Sequence, residues 1–182
     1  LASSAASDVY KRQIGDDMFR KMRRKKQELT EKQCLDILRR AKTATLALSG
    51  DDGYPYSVPM NFVYEDGKIY FHGAKEGHKI DAIKNNPKVS MSIIDQEDVI
   101  EEELTTYFRS VILFGKARIL QEDDEIYHAI ETLGLKYNED EVTVEKEIRK
   151  EWKILCCVEI TIEHISGKQA IELVNKNYQD LF

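Results

Sequence analysis

The chain has 182 residues, 33 acidic against 27 basic side chains and a formal net charge of −6 at pH 7, with an ordinary hydrophobic content of 42%. That length suits one domain with a real core and is short for two. The mildly acidic balance gives no general pull toward nucleic acid or anionic membrane, and no apolar run approaches the ~20 residues that span a bilayer.

Residues 1–17 are small, polar and aperiodic, and read as a leader or non-native segment outside the fold. Residues 18–182 are taken as one domain. No secretory pattern opens the chain, so a cytoplasmic protein is expected. Arg20, Lys21, Arg23, Arg24, Lys25 and Lys26 make a basic run, read first as a solvated arm. Thr30 and Gln33 form a capping-box pair, so a helix should begin there. Cys34, Ile37, Leu38 and Ala41 follow on one face. The short apolar segment 43–49 reads as a strand, Asp51-Asp52-Gly53 as a turn, and 56–64 as a second strand. Pro59 interrupts the ladder within it, which implies an edge, a bulge or a neighbouring ligand. Glu65-Asp66-Gly67-Lys68 signals a hairpin returning as a strand over 69–72.

A loop over 73–77 leads into a short helix over 78–86, stopped by Asn86-Pro87. Strand 89–94 precedes an acidic surface loop at 95–103. A long strand over 107–120, with a bend at Gly115, leads to helices over 122–137 and 144–152. In the last strand, 154–164, Cys156, Val158 and Ile160 share one face, while Cys157 and Glu159 share the other. Three cysteines, two of them adjacent, fit reduced thiols. About six strands joined by hairpins and short helices predict a mainly β protein: an antiparallel barrel with flanking helices.

The stretch His72-Gly73-Ala74-Lys75-Glu76-Gly77-His78-Lys79 carries the most chemistry. It closes a strand and opens a helix, where glycines allow close approach and free N–H groups with Lys75 and Lys79 favour an anion. The alternative is an ordinary strand-to-helix turn with solvated lysines. Its spacing matches neither a Walker A loop nor a dinucleotide-binding fingerprint. No histidine has partners at metal-ligand spacing, so no metal site is expected. No nucleophile elbow or Ser-His-Asp pattern is present.

Four stretches in order resemble the pyridoxamine 5'-phosphate oxidase-like FMN-binding split-barrel family, and within it most closely the nitroimidazole-resistance (Nim) proteins. They are the opening Met18-Phe19-Arg20-Lys21-Met22-Arg23-Arg24, then Gly53-Tyr54-Pro55-Tyr56-Ser57-Val58-Pro59-Met60. Next come Ile69-Tyr70-Phe71-His72-Gly73-Ala74 with Gly77-His78-Lys79, and Tyr107-Phe108-Arg109-Ser110-Val111 with Gly115-Lys116-Ala117. The resemblance spans about residues 18–170. It implies a six-stranded split barrel with FMN at a homodimer interface. Val58, Pro59, Met60 and Asn61 would lie along the isoalloxazine edge. His72, Gly73 and Ala74 would border the flavin and ribityl chain, and Lys79 and Ser110 would contact the phosphate. Trp152, the sole tryptophan, is read either as packing or as reaching the partner's flavin pocket.

The position of His72 in Nim proteins implies a substrate-side role, orienting or protonating the acceptor. The arginine-rich C-terminal stretch of true pyridoxamine-phosphate oxidases has no counterpart in residues 171–182, which argues against vitamin B6 oxidation. The implied function is FMN-dependent transfer of electrons from NAD(P)H to a small acceptor, nitroaromatics included. The alternative is a non-catalytic FMN or haem carrier, for which His72 and His164 would be the candidate axial ligands.

Overall fold

The computed structural model describes residues 18–174; the segments 1–17 and 175–182 lie outside the described residues. In chain order the elements are α1 (Glu31–Arg40), β1 (Thr43–Ser49), β2 (Pro55–Asn61), β3 (Val63–Glu65), β4 (Lys68–Ala74), α2 (His78–Asn85), β5 (Lys88–Ile100), β6 (Thr105–Ile119), α3 (Asp123–Tyr137), α4 (Glu141–Glu151) and β7 (Leu155–Gln169). The expected capping box is present: the Thr30 hydroxyl accepts from the Gln33 N–H, and the Gln33 side chain accepts from the Thr30 N–H. Asp66 and Gly67 have φ of 44° and 82°, the left-handed pair that a two-residue hairpin needs.

All seven strands form one antiparallel sheet in the order β2-β1-β5-β6-β7-β4-β3. The edge strands β2 and β3 are separated in sequence by Phe62 alone. Residues two apart lie at most ~7 Å from each other. The sheet therefore curls until its edges meet, and a barrel results. The expected count of six becomes seven because the strand anticipated over 56–64 breaks at Phe62.

The break has a physical cause at the end of α3. The Tyr137 hydroxyl accepts from the Phe62 N–H at 3.1 Å and donates to the Lys42 carbonyl at 2.5 Å. The Lys136 ammonium donates to the carbonyls of Ala41 at 2.6 Å and Phe62 at 2.9 Å, and sits 4.1 Å from the Phe62 ring centre. Side chains thus satisfy the corner's backbone where a ladder partner would otherwise be needed.

Another expectation, a surface loop over 95–103, holds at Glu101–Glu103 but fails at residues 95–100. There β5 continues to Ile100 instead of forming a loop, pairing with β6 as far as Ile100↔Thr105. A register shift between Ile94 and Gln96 sets Asp95 as a bulge residue. Its carboxylate takes two bonds from Arg40, at 2.8 and 2.6 Å, and lies 3.5 Å from the fully buried Arg109. This ties α1 to the β5–β6 ladder. β7 likewise runs past its expected end at residue 164, to Gln169.

The barrel interior holds Leu46, Phe71, Met91, Ile93, Leu113 and Ile160, capped by Cys34, Ile37 and Leu38 of α1. A second cluster lies between the outer sheet face and α3, with Tyr70, Leu120, Ala129, Leu133, Leu155 and Cys157. The two faces of β7 therefore serve two cores, and Cys156 and Cys157 are both buried. On the mixed face Glu159 receives Lys68 at 2.9 Å and Arg118 at 2.8 Å, and Arg118 reaches on to Glu125.

Candidate functional site

The two edges of the curled sheet do not join along their whole length. β3 pairs with Lys68–Tyr70 of β4 and goes no further. β2 pairs with β1 on one side. Among the described residues no strand pairs with the other edge of β2, nor with the facing edge of β4 beyond Tyr70. The wall is split there, with β2 on one rim and the end of β4 on the other. Unpaired strand edges offer backbone donors and acceptors to a ligand. Pro59 sits on this edge strand, where a missing donor costs little.

Of the residues singled out in the sequence, Val58, Pro59, Met60 and Asn61 lie on the β2 rim, and His72, Gly73 and Ala74 lie on the β4 rim. Their alternation turns Val58 and Met60 inward and exposes Pro59 and Asn61. Lys79 stands in the first turn of α2. The residue before the helix, Gly77, has φ +123°, a conformation that favours glycine and swings the chain from β4 into α2.

The Lys79 ammonium lies 5.3 Å from the Phe71 ring centre. It is 2.9 Å from where a Cβ on Gly73 would stand. Gly73 thus leaves the space that the ammonium occupies. Lys79 has no carboxylate partner among the described residues, and burial pushes its pKa below the ordinary lysine value. Burial first, and the Lys79 charge second, push the His72 pKa down, although the residue as a whole is exposed. The His78 ring stacks on Tyr56 at 4.1 Å and pins the start of α2 to β2. A half-buried cation without a counter-charge, beside free strand edges, is chemically suited to an anion.

Two residues stand apart within one chain. Ser110 pairs with Ile94 and Lys168, ten residues down β6 from Leu120, whose N–H bonds the Cys157 carbonyl beside His72. Ten extended residues span roughly 33 Å. Trp152 follows α4 and packs against the second core, its ring 6.4 Å from that of Tyr127. It lies beside the start of β7, on the side of β4 away from β2. His72 and His164 do not converge either: His72 pairs with Cys157, seven residues from His164 along β7, about 23 Å. They cannot ligate one iron within a chain. No group of three His, Cys, Asp or Glu among the described residues could hold a metal ion.

A cross-strand row on the outer face runs Pro59, Thr45, Ser92, Ile112 and Ser166, and beside it run Ala47, Ser90 and Phe114. Ile94, Ile112 and Phe114 are 62%, 44% and 38% exposed there. Ser110 and the outward residues of the β2 rim share this face. Sequence reasoning missed it, because single exposed apolar residues carry no signal until the sheet places them together.

Residues 30–169 match the family model described as pyridoxamine 5'-phosphate oxidase, from the cap of α1 to the last residue of β7. The chain belongs to this family. A curated relative, an uncharacterized protein of Rhizobium meliloti, is 27% identical over 100 residues, covering 55% of this chain and 61% of its own length. Thus the match spans about six-tenths of that relative.

Among solved structures, a candidate 5-nitroimidazole antibiotic resistance protein from Bacteroides thetaiotaomicron has a TM-score of 0.64 at 21% identity, covering 78% of this chain and 85% of the other. A FAD and haem binding protein from Mycobacterium smegmatis has a TM-score of 0.66 at 21% identity, covering 80% and 73%. A FAD-binding protein from Mesorhizobium loti has a TM-score of 0.57 at 22% identity, covering 79% and 96%. At these identities the likeness establishes the fold that the family members share. No helix among the described residues is long and apolar enough to cross a membrane.

Proposed function

We propose that this chain binds FMN in the split between β2 and β4 as a homodimer, and passes electrons from a reduced nicotinamide to a small acceptor, nitroaromatic compounds among them. The half-buried Lys79 ammonium, without a carboxylate partner among the described residues and held in the space left by Gly73, carries the reading. It fits a phosphate, which would supply the missing counter-charge. The flavin, when bound, supplies the hydride and electron chemistry. Family membership and the flavin-binding structural relatives support this choice of cofactor, and the candidate nitroimidazole-resistance relative supports the acceptor class.

The chain's own residues bind and orient. The free β2 edge at Val58–Asn61 offers backbone groups to a planar ring, and the inward Val58 and Met60 offer apolar contact. Gly73 and Ala74 permit close approach. His72, its pKa pushed down by burial and by Lys79, can present a ring N–H to the acceptor as a hydrogen bond and so orient it. The outer face supports the second copy: it sets the exposed Ile94, Ile112 and Phe114 among small hydroxyl side chains, and it carries Ser110 together with Pro59. Docking two such faces would bring Ser110 of one chain toward the split of the other, which a single chain does not do.

The test is a visible spectrum of the purified protein before and after FMN and NADH. Bands near ~375 and ~450 nm retained through gel filtration, and bleached by NADH, are the expected result for a resident flavin. Bound flavin without turnover leaves a carrier, a Soret band leaves a haem protein, and no retained flavin refutes the reading.

A further inference from the structure

A second cavity lies on the β7 side of β4, away from the β2 rim. It is a cleft of about 450 Å³, within the range of small-molecule sites. Leu155 and Cys156 of β7 form its floor, and they pair with Ala74 and Gly73. The cleft is therefore one strand removed from the split. Ile80 of α2, Ile119 at the end of β6 and Ile126 of α3 make apolar walls, and Trp152 supplies an aromatic one.

The polar groups on this cleft are mostly donors. Lys75 lies on the rim, its ammonium pinned by the Lys153 carbonyl at 2.7 Å. Lys84 lies across from it on α2 and has no carboxylate partner among the described residues. Gln121 adds an amide whose N–H donates to the Ile119 carbonyl, and Asp123 is the one acidic side chain in the lining. The charges converge on the floor. Burial pushes the Cys156 thiol up, while Lys79, Lys75 and Lys84 each pull it back. An apolar, aromatic-walled cleft with an excess of ammonium groups selects a ligand with a flat apolar body and one negative charge.

We propose that this cleft is a binding site for a small aromatic carboxylate, separate from the flavin split. The body of the ligand lies against Trp152 and the isoleucines, and its carboxylate lies between Lys75 and Lys84. No residue of the β2 rim lines the cleft, and neither does Lys79, on which the flavin reading rests.

Trp152 is the sole tryptophan of the chain, so its emission reports on this cleft alone. The purified protein is titrated with 4-nitrobenzoate and, separately, with 4-nitrobenzamide, a neutral quencher of the same shape. Emission and calorimetry are read together. The expected result is saturable quenching by the carboxylate at one site per chain, with about tenfold weaker affinity in Lys84→Glu, where one favourable charge becomes unfavourable. The amide binds more weakly, and the distant surface change Lys26→Glu has no effect. Equal linear quenching by both compounds, or unchanged affinity in Lys84→Glu, overturns the proposal. Release of bound flavin as the carboxylate is added also overturns it, because that result puts the anion in the split. Flavin retention is read separately by its own absorbance, so the two readings fail independently.

Discussion

Replacing Lys79 by Met separates a binding lysine from a structural one, because the two roles predict opposite signs. The ammonium has no carboxylate to lose, and its main described contact is with the Phe71 ring at 5.3 Å. A cation–π contact of that kind contributes about 0.5–1 kcal/mol. Removing a desolvated, unpaired charge recovers a similar amount. The variant without flavin should therefore match the wild type within about 1 kcal/mol, a size typical of benign substitutions. Flavin binding should suffer. Charge-assisted bonds to a phosphate contribute about 1.5–3 kcal/mol, so FMN affinity should fall roughly tenfold to more than a hundredfold. Riboflavin, which lacks the phosphate, should bind both proteins alike. The assay is quenching of flavin fluorescence on titration, with thermal unfolding of the apo protein alongside. If FMN and riboflavin lose affinity together, or if the apo variant is destabilised by more than about 2 kcal/mol, Lys79 is a structural residue and the phosphate assignment fails.

Gly73→Ala places a methyl group where the Lys79 ammonium now stands, at 2.9 Å, and the flexible lysine tip can move aside. Stability should hold within about 0.5 kcal/mol while FMN affinity drops several-fold; an unchanged affinity would separate Gly73 from the site. Lys136 is pushed down to about 8 from 10.5 by burial, so between those values the unfolded chain binds more protons, and this residue makes stability rise with pH. Denaturant unfolding at pH 7 and pH 10 should show the wild type gaining on Lys136→Met, whereas a constant difference would refute the burial argument. At pH 7 the Met variant leaves the Ala41 and Phe62 carbonyls without their donor and should lose about 1–3 kcal/mol. Asp95→Ala removes the carboxylate from the fully buried Arg109 and from Arg40, and should cost about 3–5 kcal/mol, read as a lower thermal midpoint. Phe114→Glu sets a charge in the outer face, where Phe114 is 38% exposed beside the Phe19 ring, and should turn a dimer into a monomer by light scattering; a monomeric wild type would refute the homodimer.

Local features were legible in the chain from short-range chemistry. The Thr30–Gln33 capping box, the Asp66-Gly67 turn, the two-faced alternation of β7 and the glycine-rich entry to α2 each depend on residues within a few positions of one another. The expectation of an anion at Lys79 also rests on local residues, since the loop's glycines and the helix start are contiguous with it. What failed also has a cause. An acidic composition suggested a loop at 95–103, but pairing with β6 carries β5 through to Ile100, because ladder bonds to a distant strand outweigh weak local propensity. The break at Phe62 depends on Lys136 and Tyr137, some 75 residues away, and no local pattern announces it.

The sequence by itself therefore determined most of the elements and the barrel class, and it marked Lys79 as a candidate for an anion. Only the tertiary structure decided that β2 and β4 leave a split, that Ser110 and Trp152 stand away from it, and that a donor-lined cleft opens beyond β4. Secondary structure follows from periodicities of two and 3.6 residues read along one segment, whereas a site requires strands far apart in sequence to meet.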